Sequence, residues 1–306
     1  MVGWVSLDAT KAIFEKAGLD LRTAMHDARK PGFKAIPLPY TVNVSIENTI
    51  KENASKNVIA TIPGTDQKDE YIIFSAHWDH LGVGAVVDGD SIYNGAVDNG
   101  TGSASLLAIA ESMMKGAPYK RTVVFLWVTA EEQGLLGSAY YAAHPIYPPA
   151  KTVANMNIDG MATYGQMKDF SIVGYGQNEL EDYAAKYAAQ QDRYILPDQE
   201  AEKGYFFRSD HFNFAKVGIP ALYGEGSYEH REKGIEYAKE KSSEYRTERY
   251  HLPTDEYDAS TFDLGGIVQD CDLYMSIAQE LANSQDWPQW RDGSEFKAAR
   301  DASLNE

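Results

Sequence analysis

Thr122-Val123-Val124-Phe125-Leu126-Trp127-Val128-Thr129, running directly into Ala130-Glu131-Glu132-Gln133-Gly134, is the stretch that decides the fold. Its apolar run is continuous rather than alternating, which is the pattern of a central strand covered on both faces. Tyr71-Ile72-Ile73-Phe74-Ser75-Ala76 repeats that pattern, and shorter strands are predicted over 57–63, 152–158, 169–174 and 218–223. Helical patterns lie between them, over 102–114, 133–143, 178–191, 209–215 and 262–282. Strands alternating with helices predict an α/β domain with a largely parallel or mixed central sheet. Ligand sites in such sheets lie beyond the carboxyl ends of the strands.

Outward from this frame, Ser6 to Gly18 predicts one short helix, and a Pro/Gly-punctuated connector follows from Lys30 to Tyr40. Thr41 to Ile50 alternates like a half-buried strand. The expected organisation is therefore an N-terminal helix and linker over 1–40 and a catalytic domain over 41–306. The polar stretch after Ala282 is expected to be an irregular tail.

The chain has 306 residues, 43% of them hydrophobic, with 28 Lys+Arg against 45 Asp+Glu and a formal net charge of -17. That balance opposes binding to nucleic acid or anionic membrane surfaces and favours cationic partners. No apolar run reaches the length needed to cross a bilayer. Cys271 is the only cysteine, which excludes an intrachain disulfide and a cysteine-rich zinc site. No basic stretch and apolar segment of a secretory leader follow Met1. The charge is unevenly spread. Between Lys68 and Lys115 there are seven acids and no Lys or Arg, and between Arg249 and Arg291 eight acids and none.

Polar residues gather at the predicted strand ends. His77 and Asp79 follow Tyr71–Ala76 two positions apart, so in extended backbone they project to one side, as suits a metal-binding imidazole and a carboxylate that orients it. Asp98 sits in the Gly-rich turn Asn94 to Gly102, which suits either a helix cap or a bridging metal ligand. Glu131 and Glu132 adjoin at the end of the most apolar strand and repel each other unless a cation or proton separates them. One can ligate a metal while the other serves as general base. Asn157-Ile158-Asp159-Gly160 and Tyr250-His251-Leu252-Pro253-Thr254-Asp255 add an acid and a histidine. Together these residues suffice for a two-metal site with imidazole and oxygen ligands.

The segments SAHWDHLG (75–82), GAVDNGTG (95–102), TAEEQGLLGS (129–138), NIDG (157–160), FRSDHFNFAKVGIPAL (207–222) and YHLPTDEY (250–257) resemble, in order, the motifs of the M28 metallopeptidases. That resemblance implies the phosphorylase/hydrolase-like fold, a central mixed, mostly parallel sheet with helices on both faces, and a di-zinc exopeptidase active on N-terminal peptide bonds. It is strongest to bacterial, exported members that carry a protease-associated domain, so residues 1–40 resemble the end of such a domain or its return linker. A periplasmic or extracellular, secreted protein is the corresponding expectation.

Carried onto this chain, the family pattern makes Asp98 the bridging ligand of two Zn²⁺ ions, His77 and Asp159 completing one site and Glu132 and His251 the other. Glu131 becomes the general base acting on a zinc-bridging water, Asp79 orients His77, and Tyr250 hydrogen-bonds the substrate carbonyl. Ser209 matches a position that in relatives supports the second histidine, and His80 belongs to the motif without being a ligand. The expected partners are peptides with a free N-terminus, with no nucleic acid and no membrane; the sequence leaves the oligomeric state open. Alternatives are a carboxypeptidase or dipeptidase of the same fold, or a glutaminyl cyclase-like acyltransferase. A carboxypeptidase needs a cation for the substrate carboxylate, and Arg208 is the one such residue close to the motifs. Glu232 to Glu248, with a glutamate every four residues, predicts a salt-bridged surface helix leading into Tyr250.

Overall fold

The computed structural model describes residues 4–305. Met1 to Gly3 of the expected segment 1–40 and Glu306 at the end of 41–306 lie outside the described residues. The chain divides into two compact units, Met1–Asn53 and Ala54–Glu306, whereas the sequence suggested a division after residue 40.

The first unit holds α1 (Leu7–Lys16) and α2 (Leu21–Asp27). Ser6 caps α1 by accepting the Ala9 amide at 3.2 Å, and Gly18, with φ of 68°, follows its last turn. Asp20 caps α2 by accepting the Thr23 amide at 2.7 Å. The strand expected over 41–50 does not form: the segment is irregular, with Val42, Val44, Ile46 and Ile50 exposed. Alternation specifies which face a strand would bury, but a strand exists only where another backbone completes its hydrogen bonds.

The second unit begins with β1 (Val58–Ile62) and β2 (Gln67–His77). A small hairpin follows, β3 (Gly82–Val87) and β4 (Asp90–Tyr93), then α3 (Gly102–Gly116), β5 (Arg121–Val128) and α4 (Leu136–Ala143). Next come β6 (Thr152–Asn157), β7 (Asp169–Ile172), α5 (Leu180–Gln190), β8 (Tyr194–Pro197), α6 (His211–Lys216) and β9 (Ala221–Glu225). The chain closes with α7 (Gly234–Glu248), α8 (Gly265–Asn283) and α9 (Lys297–Leu304).

Seven strands form one sheet in the order β1-β5-β2-β6-β9-β7-β8. β5, β2, β6 and β9 run parallel, β1 is antiparallel to β5, β7 is antiparallel to β9, and β8 is parallel to β7. The continuous apolar runs of β2 and β5 have their expected cause. Ile72, Phe74, Val123 and Phe125 face the core shared with α3, α5 and α8, while Ile73, Val124, Leu126 and Val128 face the core shared with α4 and α6. Both strands are buried on both sides, so polar residues are admitted only where they end. The tail after Ala282 is less irregular than expected: α9 forms, and Trp290 and Phe296 join a third apolar cluster with Ala215.

Candidate metal centre

The parallel strands deliver their last residues to one edge. His77 is the final residue of β2, Glu131 and Glu132 lie in the turn after β5, and Asp159 follows β6. In that turn Ala130 and Leu135 have φ of 55° and 60°, and the Glu131 carbonyl accepts the amides of Gly134 and Leu135 at 2.9 and 2.8 Å. The reversal presents both glutamates above the strand end.

Asp98 enters from the turn before α3, where the Asp98–Asn99 peptide is cis. Gly95 opens this turn with φ of 64°, and a side chain there would collide with the Asp98 carbonyl and the His80 ring. Asp255 anchors the turn from below: its buried carboxylate accepts the amides of Val97 and Asp98, each at 3.1 Å, and its carbonyl accepts that of Ala96 at 2.9 Å. Asn99 ties the turn to the Asp159 loop, donating to the Ile158 carbonyl at 2.9 Å and accepting the Gly160 amide at 3.1 Å.

All five predicted ligands converge. His77 Nε2 lies 3.2 Å from Asp98 Oδ1 and 3.1 Å from Asp159 Oδ1. His251 Nε2 lies 3.3 Å from Asp98 Oδ2 and 3.2 Å from Glu132 Oε2. The two oxygens of Asp98 thus face two different histidines, each with its own second carboxylate. His80, set aside in the sequence reading, is also within reach: its Nδ1 lies 2.7 Å from Glu132 Oε1, and His80, Asp98 and Glu132 form a second ligand-like cluster beside His77, Asp98 and Asp159.

Electrostatics follow from crowding. Burial works against a charged His77, but Asp159 and Asp98 outweigh it and raise its pKa well above the ordinary value. Hydrogen bonds to Asp98 and Glu132 raise His251 to about 10. Burial pushes Asp98 up, yet His251 and His77 outweigh that and hold its carboxyl below the usual range. Glu131 is driven the other way, to about 9, by burial and then by the charge of Asp159. A cluster that favours two cationic imidazoles and disfavours ionisation of one carboxyl suits dications, whose charge reverses the repulsion. The donor set, imidazole nitrogen and carboxylate oxygen, suits zinc.

Two supporting roles differ from the sequence expectation. The carboxylate of Asp79 stands 3.9 Å from His77 Nδ1 and accepts the Glu131 amide at 3.1 Å; the Asp79 carbonyl, 3.0 Å away, faces His77 Nδ1. Asp79 therefore orients His77 through its backbone, its side chain being engaged with the Glu131 turn. Ser209 donates to Asp159 Oδ2 at 2.5 Å rather than supporting a histidine, because β6 and the start of α6 bring them together. Behind it runs a buried polar ladder: Asn157 Nδ2 donates to Ser209 Oγ at 2.8 Å, Ser75 Oγ to Asn157 Oδ1 at 2.7 Å, and Asn155 Nδ2 to Ser75 Oγ at 2.9 Å. The Tyr250 ring stacks on His251 with centroids 3.9 Å apart, and burial raises its hydroxyl to about 12.

α7 is the expected surface helix, with Ala238 its one buried residue, a Lys241–Glu244 pair at 2.5 Å and an Arg246–Glu200 pair at 2.7 Å. Its last turn also reaches the centre, since Tyr245 donates to Asp255 at 3.4 Å. Arg208 is exposed, its guanidinium 5.5 Å from the centre of the Tyr205 ring.

Comparison with known proteins adds an independent line. The model of peptidase family M28 matches residues 57–274. A probable leucine aminopeptidase of Arthroderma otae is 30% identical over 182 residues, 56% of this chain and 47% of that protein. The chain thus spans about half the length of that relative. Among solved structures, the zinc aminopeptidase BSAP of Bacillus subtilis aligns with a TM-score of 0.55 at 22% identity, covering 75% of this chain and 51% of that one. The glutaminyl cyclase of Porphyromonas gingivalis aligns with 0.53 at 18% identity, covering 74% and 77%. At these identities the likeness is one of fold.

Proposed function

The chain belongs to peptidase family M28, and from that premise we propose that it is a two-zinc aminopeptidase, removing N-terminal residues from peptides. The observation that carries this reading is the position of Asp98, one oxygen toward His77 and the other toward His251, with Glu131 beside them. His77, Asp98 and Asp159 would hold one ion, and Asp98, Glu132 and His251 the other, with His80 packed against Glu132. When bound, the zinc ions supply Lewis acidity, lowering the pKa of water and polarising the scissile carbonyl.

The chain's own groups do the rest. Glu131 takes a proton from the attacking water and returns it to the departing amine. Asp79, by holding the Glu131 amide, fixes where that carboxylate stands. Tyr250, stacked on His251, offers its hydroxyl to the oxygen that becomes negative in the transition state. The excess of acids over Lys and Arg in the stretches that carry these residues favours a substrate with a free α-ammonium group.

Hydrolysis of free and N-acetylated forms of the same peptides by the zinc-loaded protein tests this. Rapid turnover of the free peptides alone is expected, and equal rates on both would reject it. Release of pyroglutamate from N-terminal glutamine, with ammonia as co-product, would instead identify the cyclase chemistry. Dialysis against a chelator should abolish turnover and zinc restore it.

A further inference from the structure

Between α3 and α8 lies a cavity of about 460 Å³, and none of the side chains grouped at the metal centre lines it. It exists because α3 turns small residues, Ala104 and Ala108, toward α8, leaving room that larger side chains would fill. Cys271 and Met275 of α8 form the opposite wall. Tyr257 and Phe262, their rings 5.2 Å apart and edge to face, border it from the segment that follows His251. Its volume falls in the range of small-molecule sites, which are apolar with a few polar groups that fix orientation. The charged side chain among its lining residues is Asp272, within a stretch of sequence that has no Lys or Arg from Tyr250 to Trp290.

We propose that this cavity binds a small amphiphilic cation, its aryl or alkyl group seated between α3 and α8 and its ammonium group against Asp272. An apolar body matches the walls, and a positive end matches the one charge they carry. The site also touches the metal centre's framework. Ala96 and Thr101, which line the cavity, flank Asp98 in its turn, and Thr101 Oγ1 donates to the Val97 carbonyl at 2.7 Å. Its other border is continuous through Glu256 with Asp255, which holds the Val97 and Asp98 amides. A bound cation would therefore sit against the turn that carries Asp98. This assignment does not rest on the hydrolytic reading, since binding is measured without turnover.

Cys271 is the chain's only thiol and lines the cavity, so occupancy can be read at that atom. Burial raises the thiol to about 11, so modification by methyl methanethiosulfonate is followed at about pH 9, where enough thiolate is present. The probe is 4-phenylbutyltrimethylammonium, whose quaternary nitrogen has neither a lone pair for a metal nor an N–H. A ligand of this size binds at about millimolar strength. On the zinc-loaded protein the probe should slow modification of Cys271 severalfold, and 4-phenylbutanoate should protect far less. Asp272→Asn should weaken protection about threefold, as expected for one solvent-accessible charge pair. An unchanged rate with the probe at about 10 mM, well above that expected strength, would overturn the proposal. Equal protection by the carboxylate, or by the probe in Asp272→Asn, would overturn the cationic specificity.

Discussion

Replacing Asp255 by alanine tests whether the metal centre is held from beneath. Asp255 is wholly buried, and its carboxylate accepts the Val97 amide at 3.1 and 3.2 Å and the Asp98 amide at 3.1 Å, with Tyr245 donating at 3.4 Å. Alanine leaves two backbone donors buried without an acceptor, at about 1–3 kcal/mol each. The Tyr245 bond is long and adds little. The expected loss is about 4 kcal/mol in the zinc-free protein, a large fraction of the stability of a typical domain. Asparagine keeps one acceptor oxygen and should cost about half as much. Because the freed amide of Asp98 belongs to the residue facing both histidines, zinc affinity should fall at both sites together, by about 10–100-fold. Urea unfolding of the zinc-free variants measures the first quantity, and competitive zinc titration the second. A stability loss below about 1 kcal/mol with both zinc affinities unchanged would refute the reasoning.

Other outcomes follow from the same geometry. Glu131→Gln should retain two zinc ions and lose turnover by about 10²–10⁴-fold; near-normal rates would remove Glu131 as the base. Ser209→Ala should weaken zinc at the His77–Asp159 site about tenfold and leave the other site less affected, and equal loss at both would show that Ser209 does not act through Asp159. His211 is buried, and burial lowers its pKa to about 3. Below its ordinary value the unfolded chain takes up a proton that the native chain refuses, so this residue's contribution to stability falls as pH drops from about 6.5 toward 3, by about 1.4 kcal/mol per unit. Asp210, raised to about 7 mainly by burial, slopes the opposite way in wild type and variant alike. The difference in stability between wild type and His211→Phe should therefore shift toward the variant as pH falls, and a constant difference between pH 6 and 4 would count against it.

The fold was legible where burial itself writes the sequence. β2 and β5 are buried on both faces, and their unbroken apolar runs announced it. His77, Glu132 and Asp159 were legible as candidate ligands for the complementary reason, since acids and histidines ending such strands have no place in an apolar core, whereas Asp98 and His251, which end no strand, were singled out by the family resemblance. What escaped depended on partners distant in the chain. Asp255 stood in a quoted motif, but its bond to Val97 spans 158 residues, and nothing local marks a carboxylate as an acceptor for another loop's amides. Asp79 was given its role through the side chain, although the contact to His77 is made by its carbonyl, which no sequence displays. Val42, Val44 and Ile46 alternate convincingly and pair with nothing among the described residues. The β3–β4 hairpin left a usable signal: Asp88-Gly89, with φ of 50° and 93°, is a two-residue turn of the type Asp-Gly favours. The acidic stretches also divide on inspection. Asp79 and Asp98 stand at the candidate metal centre, Asp255 beneath it, and Asp270 pairs with Arg193 at 2.6 Å inside the domain.

The ladder from Asn155 through Ser75, Asn157 and Ser209 to Asp159 has one sense of travel. A carboxylate can only accept, so Ser209 must turn its proton toward Asp159 and take the Asn157 amide group on its lone pair. Asn157 is then obliged to present its oxygen to Ser75, which in turn faces the amide group of Asn155. Two side-chain amides that could otherwise flip without change of shape are thereby given a head and a tail. The orientation of a candidate metal ligand at the mouth of the sheet is thus inscribed, like the polarity of a magnet, deep within its strands.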